Sequence, residues 1–397
     1  MTLQEMMKAL GISRIPDCFP AYYEQLKGTW EKRGEEILSD EFILQALEKS
    51  GVLTAYQEVI LLAAAQVREN PALVLLICLL EQWVKDGGNV NDPAYEAPEG
   101  VGIGYDLLHL FPAIPAMPDS VEHMRKRGVP EDVITATMGE YDFCMDLYSG
   151  LLGRPGFNRG RLAWISRLVN NKLIRIGRFK YDLPGNYIRG VRVFRNQAGD
   201  MRILADGLQV HAGGGILGSV GLEDPEGSFL AELCWTEAAV TGYPISDGRV
   251  CREQITLQLT QWHEVLSEED AVLRIHIPRD GSFDTQVIEE AYAQAREIFA
   301  KCYPDYPYKA FFCHSWLMSL DLREVLKPTS NILAFQKKFT PIPCKSAGNT
   351  VFSFVFGKGA VIPEDLQALP ENTSLQRAVK ARYLQGGYIR EGEGFFF

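Results

Sequence analysis

Apolar residues recur at helical spacing over the first 150 residues of the chain. Leu, Ile, Val and Ala stand three and four positions apart, which predicts amphipathic helices over residues 42–48, 53–68, 71–85 and 131–152. Pro71 suits the first turn of a helix, and the Gly87-Gly88 pair ends that helix. Residues 89–118 are rich in Pro and Gly and interrupt the pattern, so we expect a loop or a lid there.

The pattern changes after the glycine-rich stretch 150–156. One amphipathic helix over 159–170 is followed by alternating apolar and polar positions, which predict strands over 173–182, 191–195, 201–210, 229–240 and 255–259. The turn residues 196–200 make a hairpin of the second and third strands. We therefore expect a helical domain over 1–152 and a second domain over 153–397.

The carboxyl-terminal part alternates between strands and helices. The pattern predicts a strand over 271–277, a helix over 285–302, a strand over 309–316, a helix over 320–339 interrupted near Pro328, and a strand over 351–356. The helix over 285–302 has one apolar stripe, so it packs on a sheet. A strand, a helix and a strand in this order form a right-handed crossover, which makes the two strands parallel.

Composition excludes several classes of protein. The chain has 397 residues and a net charge of −11, so neither nucleic acid nor an anionic membrane is the expected partner. The longest apolar stretches, 59–67 and 71–80, are shorter than the roughly 20 residues that cross a bilayer. The amino terminus lacks the pattern of a secretion signal, and the eight cysteines are scattered singly, so we expect a cytoplasmic protein without disulfides. The absence of paired ligand spacing also predicts no metal site.

Two short motifs partly match the patterns of known functional sites, but the residues in and around them do not support such a site. Residues 213–218 satisfy the spacing G-x-G-x-x-G, but the following residues, with Pro225, do not predict the helix that a dinucleotide site needs. The nucleophile elbow of esterases requires a glycine that Leu217 replaces. A flexible glycine-rich loop is the interpretation that remains.

Two histidines end the two predicted parallel strands. His276 and His314 stand one crossover apart, and open α/β sheets bind ligands at the carboxyl ends of their strands. The loop 279–284 leads into a helix amino terminus, which attracts anions. We expect the two imidazoles to lie in one crevice, with proton transfer as one role and hydrogen bonding to the surrounding structure as the other.

The chain resembles acyltransferase-domain proteins in which a helical N-acyltransferase domain precedes a GNAT-like domain. The resemblance covers nearly the whole chain and rests on Leu173-Ile-Arg-Ile-Gly-Arg-Phe179, Trp235-Thr-Glu237, Thr241-Gly-Tyr-Pro-Ile245, His276-Ile-Pro278, Cys313-His-Ser-Trp-Leu317, Ser330-Asn-Ile332 and Phe335-Gln-Lys-Lys-Phe339. It implies an α+β fold, with a helical amino-terminal domain followed by a GNAT-like mixed α/β domain.

The resemblance also implies a function, the transfer of an acyl group from acyl-CoA or another thioester to a small amine. His276 or Glu237 is then the base, the backbone around Ile277 binds the oxyanion, and His314 or Ser315 is the acid. The alternative is a GNAT-like protein that binds a metabolite or partner without catalysis.

The pyrophosphate of acyl-CoA is expected at the loop that contains Ile277, Arg279, Gly281 and Ser282. This loop departs from the family pattern Q/R-x-x-G-x-G/A, since Arg279 stands two positions before Gly281 and Phe283 occupies the last small position. Arg279 is the positive charge that the loop itself offers to a phosphate.

Overall fold

A computed structural model of the protein describes residues 1–183 and 185–397, and the chain divides into two compact units. The first comprises Met1–Ile176 with Ala300–Tyr303, and the second comprises Gly177–Phe299 with Pro304–Phe397. The domain limits expected from the sequence, 1–152 and 153–397, stay a prediction. The α+β class is confirmed, because a helical first part precedes a mixed sheet.

The first unit is helical and ends on one strand. Its elements are α1 (Leu3–Leu10), α2 (Phe19–Leu26), α3 (Trp30–Ile37), α4 (Asp40–Ser50), α5 (Gln57–Arg68), α6 (Pro71–Lys85), α7 (Ile103–Asp106), α8 (Met117–Lys126), α9 (Glu131–Met138), α10 (Glu140–Leu152), α11 (Arg159–Val169) and β1 (Leu173–Ile176).

Helix α6 is the centre of the first unit. Pro71 occupies its first position, as the sequence predicts, and Asn70 caps it. Nearly all its side chains are buried, and α1, α2, α3, α5 and α11 pack around it. Its one buried carboxylate, Glu81, is paired with Arg33 and Lys85. The uncharged stretch 71–80 is therefore a core helix of this unit.

A helix that crosses a membrane needs about 20 consecutive, mainly apolar residues. None of the helices in the described part of the chain is by itself long and apolar enough to cross a membrane. Two consecutive segments, Thr54–Arg68 and Pro71–Lys85, have the length and hydropathy of a membrane span only when they are taken together. These two segments meet at a bend of 114°.

The second unit carries the strands. These are β2 (Phe179–Asp182), β3 (Val191–Asn196), β4 (Met201–Ala205), β5 (Leu208–Val210), β6 (Phe229–Ala231), β7 (Cys234–Trp235), β8 (Ala239–Gly242), β9 (Ile245–Ser246), β10 (Arg249–Val250), β11 (Ile255–Gln258), β12 (Trp262–Leu266), β13 (Val272–His276), β14 (Ala310–Ser315), β15 (Thr340–Ile342) and β16 (Gly392–Phe396). Its helices are α12 (Thr285–Cys302, its last turn counted with the first unit), α13 (Leu322–Val325), α14 (Asn331–Gln336), α15 (Thr350–Phe356) and α16 (Ser374–Leu384).

The main sheet of the second unit contains β2, β13, β14, β16 and β15 in this order. Strands β13 and β14 are parallel, as the crossover through α12 predicts, and their other neighbours are antiparallel. Smaller sheets have the orders β12-β3-β4, β11-β8-β7, β5-β6 and β10-β9. The hairpin predicted around 196–200 is confirmed as β3 and β4.

Helix α12 covers one face of the main sheet with aromatic contacts. Tyr292 lies 4.9 Å from the ring of Phe396 and 5.8 Å from that of Phe311, and Phe299 lies 5.9 Å from Tyr181. The opposite face is apolar where β3, β4 and β12 pack on it, with Phe312 and Phe395 in the shared core. This packing leaves the polar side chains of the sheet near one end of that opposite face.

The predicted strand over 351–356 is wrong, because this segment is helix α15. Val351, Phe352 and Phe356 are buried together, a spacing that fits a helical turn, and Phe352 packs on Tyr383 of α16. Gly357, in the left-handed region at φ +65°, ends the helix. Short runs of aromatic and β-branched residues suit both structures, and the neighbouring helix decides between them.

Candidate active site

The parallel strands β13 and β14 separate at their carboxyl ends. Their pairing runs from Val272 opposite Ala310 to Ile275 opposite Cys313. Beyond that point each strand continues with its outer neighbour, so that His276 lies opposite Lys180 of β2. His314 likewise lies opposite Glu393 of β16. The two strand ends therefore diverge around a wedge.

The register puts His276 and His314 on one face of the sheet. Successive side chains of a strand point to opposite faces, and Arg274 lies directly opposite Phe312. The residues two positions further along, His276 and His314, therefore share the face of that pair. Arg274 is also on this face and holds its guanidinium 4.8 Å from the ring centre of Tyr187.

His276 is held by a buried carboxylate. Its Nε2 lies 3.4 Å from Oδ2 of Asp182, a side chain that is only 3% exposed. The hydroxyl of Tyr187 donates to the same oxygen at 2.9 Å. A carboxylate that contacts one ring nitrogen fixes the orientation of an imidazole. The pair thus fixes the ring at the β13 side of the wedge.

On the β14 side, His314 belongs to a cluster with Cys344 and Glu393. A ring nitrogen, the Sγ atom and a carboxylate oxygen of these residues lie within 4.8 Å of one another. Glu393 is the register partner of His314, and Cys344 follows β15. The thiol of Cys344 donates to the backbone carbonyl of Glu391 at 3.3 Å.

Burial dominates the electrostatics of this cluster. It raises the pKa of Glu393 to about 7, while the positive charge of Arg274 acts in the opposite direction. Burial also lowers the pKa of His314, Arg274 lowers it further, and Glu391 opposes both effects. The pKa of the Cys344 thiol is raised by burial and by the neighbouring carboxylates of Glu393 and Glu391. At neutral pH the imidazole of His314 is therefore uncharged.

Arg178 donates hydrogen bonds to two points of the loop that follows β13. Its Nε donates to the carbonyl of Ser282 at 2.7 Å, and its Nη2 donates to that of Pro278 at 2.9 Å. Gly281 sits between these two points at φ +80°, in the left-handed region that glycine adopts without strain. Two of the predicted cofactor residues, Gly281 and Ser282, thus lie in a loop whose shape a buried cation holds.

The remaining groups of this loop also have partners. Arg279 is exposed, donates to the carbonyl of Ser353 in α15 at 2.8 Å, and lies 5.1 Å from the ring centre of Phe354. Asp284 accepts from the backbone N–H of Gln286 at 2.9 Å and so occupies part of the helix amino terminus. The helix amino terminus that the sequence analysis expects to attract an anion is thus partly occupied by a carboxylate of the chain itself.

Two of the predicted catalytic residues lie away from the polar face. Glu237 is exposed in the turn between β7 and β8. In this turn the hydroxyl of Thr236 donates a hydrogen bond to the carbonyl of Ala239 and accepts one from its backbone N–H. Ser315 follows His314 and so points to the opposite face of the sheet, and its hydroxyl accepts from the N–H of Leu317 at 3.1 Å. The structure does not bring these two side chains together with the histidines, and their roles stay predictions.

A cavity of about 180 Å³ opens beside Glu393. Its lining includes the polar side chains of Cys344, Glu391, Glu393, Asp321, Arg249 and Arg390, and the apolar side chains of Ile216, Leu222, Met318, Leu320 and Ile342. Strand β16 runs so close to the turn 316–318 that a Cβ at Gly392 would overlap the carbonyl of Met318. The alternation of glycine and glutamate in β16 thus lets the backbone approach this turn.

Sequence reasoning missed Arg178, Arg274, Cys344 and Glu393 as members of the site. Arg178 stands in one of the strings that carry the family resemblance, and Arg274 alternates with apolar residues in β13. The segments with Cys344 and Glu393 have no motif, and no strand was predicted over either of them. Pairing between distant strands brings these side chains to the histidines.

Comparisons with known proteins identify the family to which this two-part fold belongs. The GNAT-like C-terminal domain matches residues 173–396, and the N-acyltransferase N-terminal domain matches residues 42–170. The chain belongs to this family of proteins with an N-acyltransferase amino-terminal domain and a GNAT-like carboxyl-terminal domain. No curated protein matches the sequence.

Solved structures with the same fold include three complexes of an acyltransferase. One holds decanoyl-CoA (TM-score 0.61, 17% identity), one holds decanoyl-CoA and teicoplanin (0.62, 17%), and one holds CoA and 10C-teicoplanin (0.61, 18%). In each comparison the match covers 100% of this chain and 99% of the other. At this identity the likeness establishes the fold.

Proposed function

We propose that this protein is an N-acyltransferase that transfers an acyl group from acyl-CoA to a small amine. Family membership supports acyl transfer, and solved structures of this fold hold decanoyl-CoA or CoA. The observation that carries the proposal is the separation of β13 and β14 after Ile275 and Cys313 beside a polar face. Ligands of α/β sheets bind at such strand ends.

In this proposal the thioester enters the wedge and the pyrophosphate rests on the loop after β13. Ile277 offers its backbone amide to the oxyanion, and Arg279, Gly281 and Ser282 face the phosphates. The two hydrogen bonds from Arg178 support this assignment, because they hold the loop in shape before a ligand arrives. Arg279 must exchange its bond to the Ser353 carbonyl for a phosphate, which is a stronger acceptor.

Acylation removes two protons from an ammonium ion, one before the nitrogen attacks and one after. His314, uncharged at neutral pH, is suited to accept the second proton from the nitrogen of the tetrahedral intermediate and to pass it to the departing CoA thiolate. His276, oriented by Asp182, is the base on the other side of the wedge. Glu237 and Ser315 are kept as the alternative base and acid.

The test combines binding with turnover. Calorimetry with decanoyl-CoA and CoA measures the donor site, and release of free CoA thiol in the presence of a panel of small primary amines measures transfer. His276→Asn and His314→Asn should each lower turnover by about 10² to 10⁴ at unchanged affinity for decanoyl-CoA. His263→Asn, on the exposed side of β12, is the matched control.

Two results would contradict the proposal. If neither decanoyl-CoA nor CoA binds the full chain, the wedge is not a donor site. If both bind and no amine is acylated, the non-catalytic alternative is favoured. Binding adds about 2.7 kcal/mol of stability at 100 times the dissociation constant, so a thermal shift reports it independently.

A further inference from the structure

The cavity beside Glu393 has the size and the lining of a small-molecule subsite. Its volume is about 180 Å³ and its walls are mainly apolar, with three carboxylates and the guanidinium groups of Arg249 and Arg390 also in the lining. A cavity of about 150 Å³ accommodates benzene. This one therefore suits a ligand of about six to seven non-hydrogen atoms, with an apolar body and one polar end.

Two of the three carboxylates that line the cavity are engaged by the protein itself. Asp321 accepts from the guanidinium of Arg390 at 3.1 Å and from its backbone N–H at 2.9 Å. Glu391 accepts from the hydroxyl of Ser346 and from the backbone N–H of Thr350. Their charges and lone pairs are thus largely satisfied before any ligand binds.

Glu393 differs from both. Its side chain is partly exposed, and no described residue donates a hydrogen bond to its carboxylate. A carboxylate that is largely removed from water and lacks a donor is destabilised in its charged form. A cationic hydrogen-bond donor in the cavity would relieve this cost.

We propose that this cavity is the acceptor subsite of the acyl transfer, where Glu393 binds a small primary ammonium ion that His276, the base of the proposed function, then deprotonates. The inference rests on the proposed function and adds the place and the chemical class of the acceptor. The neutral nitrogen then attacks the thioester carbonyl, a C–N bond forms, and the C–S bond breaks. His276 releases the first proton to solvent, and His314 carries the second proton from nitrogen to the CoA thiolate.

The geometry links this subsite to the wedge. Glu393 lies directly opposite His314 in the register, and their polar atoms are within 4.8 Å. An ammonium ion on Glu393 is therefore adjacent to the residue at the β14 side of the wedge, where the thioester is proposed to lie. The acyl chain of the donor is the competing occupant of the cavity, and its apolar walls suit that occupant as well.

The protonation of Glu393 sets the pH at which the subsite works. Its pKa of about 7 leaves it about half ionised at neutral pH. The groups that face it are His314 from β14, Arg274 from β13, Cys344 after β15 and Glu391 on its own strand. We expect amine affinity to fall as the pH falls through 7, because the protonated carboxyl no longer attracts a cation.

Calorimetry with n-pentylamine, which has six non-hydrogen atoms, tests the subsite on the full chain without acyl-CoA. Glu393→Gln should weaken pentylamine binding by about 10- to 100-fold, the loss of one charged hydrogen bond, and leave the dissociation constant of decanoyl-CoA unchanged. Glu253→Gln, an exposed glutamate of the same unit, is the control and should bind pentylamine like the wild type. A variant with unchanged pentylamine affinity, or a wild type that does not bind the amine, would overturn the proposal.

A second variant tests whether the cavity holds the amine acceptor or the acyl chain of the donor. Leu222→Trp narrows the cavity from the glycine-rich loop and should abolish pentylamine binding without altering the preference for acyl-chain length. If pentylamine still binds and the preference shifts to shorter acyl chains, the cavity holds the acyl chain and the assignment is wrong. Failure of decanoyl-CoA to bind the wild type would instead overturn the proposed function, whereas the pentylamine measurement does not depend on it.

Discussion

Replacing Glu393 by Gln should stabilise the protein at alkaline pH and do so less at acidic pH. Burial raises the pKa of this carboxyl from the ordinary 4.5 to about 7, so the folded state binds its proton more tightly than the unfolded state does. The resulting stability is present below pH 4.5 and is lost as the pH rises through 7. Gln has nearly the same shape and does not ionise, so the unfolding free energy of the variant does not fall for this reason as the pH rises through 7.

The magnitude follows from the size of the pKa shift. Each unit corresponds to about 1.4 kcal/mol, and with allowance for the partial exposure of Glu393 the whole shift is worth about 2 to 3 kcal/mol. For a unit of this size the difference in Tm between the variant and the wild type should grow by about 4 to 12 °C between pH 5 and pH 8.

Calorimetric melting of both proteins at pH 5, 6, 7 and 8 measures this effect. The comparison across pH removes the constant effect of an amide in place of a carboxyl. Glu253→Gln controls for the loss of one surface charge. A Tm difference that stays constant from pH 5 to pH 8 would refute the reasoning, since it would mean that Glu393 is not destabilised in its charged form.

Three further predictions concern the rest of the site. Arg178→Lys should cost about 2 to 4 kcal/mol of unfolding free energy in urea and weaken CoA binding, because one ammonium cannot replace both hydrogen bonds to the loop; unchanged stability would contradict this role. Arg279→Glu should weaken CoA binding in calorimetry with little change in Tm, because its side chain is exposed; an unchanged affinity would remove the loop from the donor site. Dialysis against EDTA should leave acyl transfer unchanged, because the proton transfers proposed for His276 and His314 need no metal ion. Activity lost to EDTA and restored by Zn²⁺ would contradict this.

Local periodicity was sufficient for the elements that stand in a strongly patterned context. The helix Pro71–Lys85 begins and ends where its proline, apolar stretch and glycines predict. The crossover from β13 through α12 to β14 follows from the apolar stripe of the helix, and the parallel pairing is confirmed. The segment 351–356 failed because its apolar residues fit both periods, and the packing of Phe352 on α16 selects the helix.

The sequence by itself determined the crossover from β13 through α12 to β14, the α+β class and the position of two histidines at adjacent strand ends, because each depends on spacing within short segments. Only the tertiary structure decided that Glu393 lies opposite His314 and that Cys344 completes the cluster, because the antiparallel pairing of β16 with β14 and β15 joins residues far apart in the chain. The same pairing buries Glu393 and so sets its pKa. Burial and cross-strand register are properties of the assembled sheet, and no local pattern of residues encodes them.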